Sequence, residues 1–166
     1  FPEVIVDSGG FQMQKGTQSR DVLLQGYGLW MQFILRDNPE VVGCFNLDVW
    51  HDEKATDKNQ KYLESIGVNP IPIWHAGTDI HYLDHYYEKY DYIAIGGITQ
   101  KLNKLSMQSF VTWLFQKYPE KKFHFLGIGV SGITAFNHFR PYSVDFSTWS
   151  APARFGTEII IIDDTK

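Results

Sequence analysis

A chain of 166 residues with 43% hydrophobic, 16% aromatic and 20% charged residues has the composition of one folded domain, spanning 1–166, with a sizeable core; disordered, collagen-like and low-complexity classes are excluded. Its 15 basic against 19 acidic side chains give a net charge of −4, so a nucleic-acid partner would need a local basic patch, not a broadly basic surface. The lone Cys44 excludes an internal disulfide and a multi-cysteine zinc site, and no apolar run nears the roughly 20 residues of a membrane span; a cytoplasmic protein without membrane contact is the expectation.

In chain order, the apolar β-branched run at 4–6 predicts a strand, and Val22, Leu23, Leu29, Trp30, Phe33 and Ile34 recur at helical spacing. A strand at 41–45 precedes a helix over 53–66 closed by Gly67, with His51-Asp52-Glu53 at its start, where acids suit the helix dipole. A strand at 71–74 leads to a helix over 79–89 behind a Thr78 cap, and a strand at 92–95 to a helix over 107–118 between Ser106 and Pro119. Strands at 123–126, 142–144 and 158–162 complete the series. Strand–helix alternation implies right-handed βαβ units and a parallel sheet. An open doubly wound sheet and a closed (β/α) barrel both fit. Length favours the open sheet, because a full barrel takes about 250 residues and eight strands. The start at Phe1-Pro2 is read as a cut within a longer parent.

Three strands are followed by an aspartate: Asp7, Asp48 and Asp145. In parallel α/β folds the carboxyl ends of the strands share the ligand-binding face, so these carboxylates are expected to converge there. For any one of them the alternative is a cap on the following helix. Glycine pairs at Gly9-Gly10 and Gly96-Gly97 clear side chains from two strand ends, as a flat ligand lying against backbone requires. Gly127-Ile128-Gly129 lacks the third glycine and the acidic partner of a dinucleotide fingerprint. His81 and His85 stand at i and i+4 without a catalytic glutamate and read as an exposed helix face, and His124 within an apolar strand reads as a satisfied core histidine. Lys101, Lys104, Arg140 and Arg154 follow strands and are candidate phosphate contacts, with solvated surface as the alternative.

The stretch Val6-Asp7-Ser8-Gly9-Gly10-Phe11-Gln12 resembles the signature of tRNA-guanine transglycosylases. The resemblance continues in order through Phe45-Asn46-Leu47-Asp48, Ile95-Gly96-Gly97-Ile98, Leu126-Gly127-Ile128-Gly129 and Val144-Asp145-Phe146, and so spans nearly the whole chain. The form of 143–149 looks closer to the divergent, phage-associated or DNA-modifying 7-deazaguanine branch. The resemblance implies a parallel (β/α) TIM-type barrel, here reduced or partial with fewer than eight strands, that exchanges guanine in tRNA or DNA for a free 7-deazaguanine base. It implies Asp145 as the nucleophile on ribose C1′, Asp7 as the acid/base partner and Asp48 as the reader of the purine edge. Ser8, Gly9, Gly10, Phe11, Gln12, His75, Gly96, Gly97, Ile98, Gly127 and Gly129 are implied around the base; no cofactor is expected, no metal is expected because Cys44 is the one cysteine, and a homodimer is allowed.

Two departures bear on that implication. Where the family carries a glutamine after the third strand, this chain has His75-Ala76-Gly77, so base-edge recognition is expected to differ. The family's zinc subdomain, which helps bind tRNA, needs several cysteines, and only Cys44 is present. Two other readings stand beside base exchange: a non-catalytic nucleobase or nucleic-acid binding relative, and a small-molecule α/β-barrel enzyme.

Overall fold

The computed structural model describes residues 3–9, 19–101, 104–128 and 139–145. It is an α/β structure with parallel sheets, in which strands and helices alternate along the chain. Strand β1 (Val4–Val6) pairs in parallel with β2 (Val41–Cys44). Strands β3 (Ile73–His75), β4 (Tyr92–Gly96), β5 (Lys122–Phe125) and β6 (Ser143–Val144) form a second parallel sheet in that order. The two sheets meet at a parallel bridge between Phe45 and Ile71, where Ile71 N–H donates to Cys44 O (2.7 Å) and Asn46 N–H to Ile71 O (2.9 Å). All six strands therefore follow one another in space in their sequence order.

The helices are α1 (Arg20–Asp37), α2 (Glu53–Ser65), α3 (Ile80–Lys89), the single turn α4 (Ile98–Lys101) and α5 (Lys104–Lys117). Ser19 caps α1 by accepting Val22 N–H, and Asp52 caps α2 by accepting Ala55 N–H (2.9 Å). The cap of α3 is Asp79, whose carboxylate accepts His81 N–H (3.0 Å), not the expected Thr78. Thr78 instead donates its hydroxyl to His75 O (2.7 Å) and tightens the turn that leaves β3. Helix α5 starts at Lys104, ahead of the expected Ser106 boundary, and α4 was not expected. The expected strand at 158–162 lies outside the described residues.

Period-two alternation along the strands sorts the core into two faces. On one, Leu24, Tyr27 and Met31 of α1 and Leu63 of α2 pack on Cys44, and burial pushes the Cys44 thiol up to about 11. On the same side farther along, Leu83 and Tyr86 of α3 with Val111 and Leu114 of α5 cover Ile93, Ile95, Phe123 and Phe125. The opposite face carries Phe45, Ile73 and Ala94, buried together with Ile5, Ile71 and Leu126 packed around them and no helix residue among them. Both faces of the sheet are thus apolar, as in parallel sheets generally.

The two sides of α1 differ in energetic weight. Leu63, fully buried against it, should cost about 2–5 kcal/mol on replacement by Ala. Leu29, 66% exposed on its outer side, should cost no more than about 0.5 kcal/mol. Urea unfolding midpoints of Leu63→Ala and Leu29→Ala measure the contrast, and equal losses would contradict the packing described.

Candidate active site

The carboxyl ends of the strands carry the chemistry-bearing residues. Asp48 lies in the loop after β2, and side-chain hydrogen bonds in both directions tie that loop to α2. Thr56 Oγ1 accepts Val49 N–H (2.9 Å) and donates to Val49 O (3.3 Å), Asn59 Nδ2 donates to Leu47 O (2.7 Å), and Asn46 Nδ2 donates to Thr56 O (2.9 Å). The loop is therefore fixed before its carboxylate is considered.

His75 closes β3, 2% exposed, and its two ring nitrogens face two carboxylates. Nδ1 lies 2.8 Å from Glu53 Oε1 and Nε2 lies 2.9 Å from Asp48 Oδ2. Burial pulls the imidazole down, but the hydrogen bonds and charges of Asp48 and Glu53 more than offset it and hold its pKa at about 9. The ring is thus an imidazolium at neutral pH, donating from both nitrogens. Asp48 is anchored by Oδ2 with its Oδ1 uncommitted among the described residues, and Glu53 is buried with Oε2 unpaired among them. The ring of Trp50 stands edge-on to His75 at 5.0 Å.

Gly96, at the end of β4, is required by this ring: a Cβ there would lie 2.9 Å from His75 Cδ2. Gly97 follows with φ +74°, a conformation that favours glycine, and its open side faces Trp50 and the Ala76 backbone. Ile98 is buried at the start of α4. Gly96 is therefore covered by the imidazole, and Gly97, half-buried beside the Trp50 indole and the Ala76 backbone, is the part of this strand end left without a side chain.

Asp145 follows β6 and is anchored in the same way as Asp48. Its Oδ1 accepts Gly127 N–H at 2.5 Å and lies 3.7 Å from His124 Nε2, beyond hydrogen-bond length. Burial would raise the carboxyl, yet His124 and the Gly127 amide more than offset it, so the group sits below the usual carboxylate value. Gly127 takes φ +64°, which turns its N–H toward Asp145. Oδ2 carries no partner among the described residues.

Of the residues expected at the site, Asp48, His75, Gly96 and Gly97 are brought into one cluster, and Gly127 joins Asp145 in a second. Asp7 follows β1 with an exposed side chain, Ser8 is buried, and Gly9 has φ +66°. Gly10, Phe11, Gln12, Gly129 and Arg154 lie outside the described residues, as do the side chains of Lys101 and Lys104; Arg140 is exposed ahead of β6. His81 and His85 are exposed on α3, as their spacing suggests. Asp48 is not a helix cap, since Asp52 takes that role.

Two expectations need correction. His124 is not a fully satisfied core histidine: its Nδ1 meets Ser143 Oγ at 2.6 Å, but its buried Nε2 has no hydrogen-bond partner among the described residues. Glu53 does start α2 as an acid suited to the dipole, but it also ligates His75 across 22 residues, which no sequence spacing records. Trp50 was not anticipated at all. Among the described residues, no group of three or more His, Cys, Asp or Glu is disposed to hold a metal ion, and no helix among them is long and apolar enough to cross a membrane.

The class defined by these features is an α/β domain with parallel sheets and an acidic site at the strand carboxyl ends. No family model, no curated protein and no solved structure matches the chain.

The charged state of His75 sets a pH test. A group whose folded pKa is raised from 6.5 to about 9 contributes stability that is fully present below about pH 6.5 and lost as pH rises through 9. The unfolding free energy of the wild type relative to His75→Gln, which carries no titrating ring, should therefore fall between pH 6.5 and 9.5. A difference that stays flat across that range would mean that the ring is not held as a cation.

Proposed function

We propose that this chain is a reduced or partial (β/α) barrel of the tRNA-guanine transglycosylase type. It replaces guanine in a polynucleotide by a 7-deazaguanine through a covalent glycosyl–Asp145 intermediate. The observation that carries this reading is the anchoring of Asp145 by one oxygen at the carboxyl end of a parallel strand, with the other oxygen uncommitted. A carboxylate so held is ionised and oriented, which is what a nucleophile toward an oxocarbenium-like centre needs.

Strand order supports the barrel. Doubly wound open sheets reverse their order at a switch point, whereas these six strands run in sequence with helix-packed residues on one face. Right-handed crossovers that always advance in one direction wrap the helices outside a curving sheet and bury its inner face. The buried Phe45, Ile73 and Ala94 are the matching inner layer.

In the first displacement Asp145 Oδ2 attacks ribose C1′, the C1′–N9 bond breaks, and its electron pair leaves with guanine, which takes up a proton from the acid/base group. Asp7, at the end of β1, is the residue proposed for that proton. In the second, Asp7, now a carboxylate, takes the N9 proton of the incoming deazapurine as N9 attacks C1′, and the C1′–Oδ2 pair returns to the Asp145 carboxylate. Asp48 accepts from the N1–H and exocyclic amine of the purine, a two-donor edge that suits a carboxylate. The base lies over Gly97 with Trp50 at its border, having left any stack in the polymer. Arg140, expected as a phosphate contact, precedes β6 and so lies at the amino end of the strands, away from Asp145.

Incubation with radiolabelled guanine and either tRNA or double-stranded DNA tests this. Wild type should retain label in one polymer, and Asp145→Asn should lower the retention rate by at least about 10³-fold. Equal retention by the variant would overturn the role of Asp145. Guanine binding by wild type without any retention would instead assign a nucleobase-binding module.

A further inference from the structure

His124 stands in the middle of β5 on the face opposite the helices, and it is 5% exposed. The register places it directly beside Ala94 of β4 and Ser143 of β6. Ser143 and Asp145 are two residues apart on the same strand path and so project from the same face. One ring thus meets both: Nδ1 contacts Ser143 Oγ at 2.6 Å, and Nε2 points to Asp145 Oδ1 at 3.7 Å. The ring of Phe45 closes the other side at 4.6 Å. Ser143 Oγ is in turn hydrogen-bonded to the Tyr92 hydroxyl.

The direction of this chain follows from its acidic end. If Nδ1 donated to Ser143 in a neutral ring, Nε2 would turn a lone pair toward a carboxylate oxygen, which is repulsive. The arrangement without that conflict runs the other way: Tyr92 O–H donates to Ser143, Ser143 O–H donates to Nδ1, and Nε2–H faces Asp145. Tyr92 and Ser143 also line a cavity of about 590 Å³ that includes Glu3, Asn69, Asp91 and Lys122, residues at the amino ends of the strands. A continuous polar line therefore crosses the otherwise apolar interior from one end of the strands to the other. A buried line of this kind is costly unless each member is used, and Nε2 is the one buried atom in it without a hydrogen bond among the described residues.

We propose that His124 is the positioning residue of Asp145: its Nε2–H closes on Oδ1 when substrate is bound, fixes that oxygen together with the Gly127 amide, and leaves Oδ2 as the only oxygen free to attack. The inference rests on Asp145 being the nucleophile, as proposed above. The ionisable group that the contacts place next to the pair is Tyr92 on β4, behind Ser143, and Phe45, just after β2, presents its ring to the imidazole. The low carboxyl of Asp145 is in keeping with such a contact.

Two isosteres separate positioning from packing, because the Asn side chain ends at the Nδ1 position, where its amide oxygen can accept the Ser143 O–H, and the Gln amide nitrogen replaces the Nε2–H donor. His124→Asn keeps the Ser143 contact and loses the donor toward Asp145, whereas His124→Gln does the reverse. The first readout is the titration of the ¹³C-labelled Asp145 carboxyl in the free protein, assigned by its absence in Asp145→Asn. The midpoint should rise by about one pH unit in His124→Asn and by clearly less in His124→Gln. An unchanged midpoint in His124→Asn overturns the proposal. If His124→Asn does not fold, Ser143→Ala, which removes the partner that sets the ring tautomer, serves in its place, with the same upward shift expected and the same null result overturning the proposal.

The second readout is formation of the covalent intermediate, expected to slow by roughly tenfold or more in His124→Asn and to be partly restored in His124→Gln. A purely structural role predicts the opposite ranking, since Asn preserves the Ser143 contact. Should wild type form no intermediate with any guanine-containing polymer, base exchange falls, and the carboxyl titration still decides whether His124 governs Asp145.

Discussion

The two hydrogen bonds of His75 tie together the loop after β2, the first turn of α2 and the end of β3. Much of the neighbouring structure is set by them. Gly96 is glycine because a Cβ would meet the ring, and Trp50 stands edge-on against it. The three charges would be unfavourable as a pair of buried carboxylates alone. With the imidazolium between them they form an ionic unit of net charge −1, which offsets its desolvation through close, charge-assisted contacts. Removing the ring therefore leaves two carboxylates facing each other, one of them almost fully buried, and this is why a donor at position 75 is a structural requirement as well as a chemical one.

The two aspartates at the strand ends share one physical design. Each is held through a single oxygen, Asp48 by an imidazolium and Asp145 by a backbone amide with an imidazole just out of bonding range. A carboxylate bound through both oxygens would be inert, and one bound through neither would lose orientation to solvent. Half-anchoring keeps charge and direction together, which suits an acceptor in one case and a nucleophile in the other. The partners differ in a way that fits this division. The imidazolium holds Asp48 as an acceptor, while the Gly127 amide and the nearby imidazole keep the Asp145 carboxyl below the usual value and so ionised.

What the sequence discloses and what it hides follow the range of the interactions. Runs of β-branched residues and helix caps are local, so β1 through β6 and the long helices were legible within a few residues. The cap of α3 fell one residue away because Thr78 and Asp79 are both good caps, and only the turn after β3 decides that Thr78 bonds His75 O instead. The strand-end aspartates were legible because parallel topology sends every strand's carboxyl end to one face. Glu53 was read only as a helix-start acid, since its second role depends on a contact with a ring 22 residues away. His124 was read as a core histidine, which is correct for Nδ1. The relation of Nε2 to Asp145 depends on the β5–β6 register, across a connection whose length says nothing about pairing.

On the base-exchange reading proposed above, His75 stands where a glutamine is expected, and its surroundings give that departure a physical meaning. A glutamine side chain in such a position offers both a donor and an acceptor to a ligand. His75 offers neither, because both of its N–H groups are already spent on Asp48 and Glu53. Under that proposal, recognition of a purine's carbonyl edge falls to backbone near Gly97, leaving Asp48 as the principal side-chain reader among the described residues. A site of this kind discriminates strongly for a two-donor edge, because a base lacking those donors would leave an ionised Asp48 facing it unpaired. It discriminates weakly at the remaining positions of the ring system, where glycine backbone and an indole edge supply contact without directional bonds. Under the proposed base exchange, the same change therefore narrows what the site would read to one edge of the base and leaves tolerance for substituents elsewhere on the incoming heterocycle.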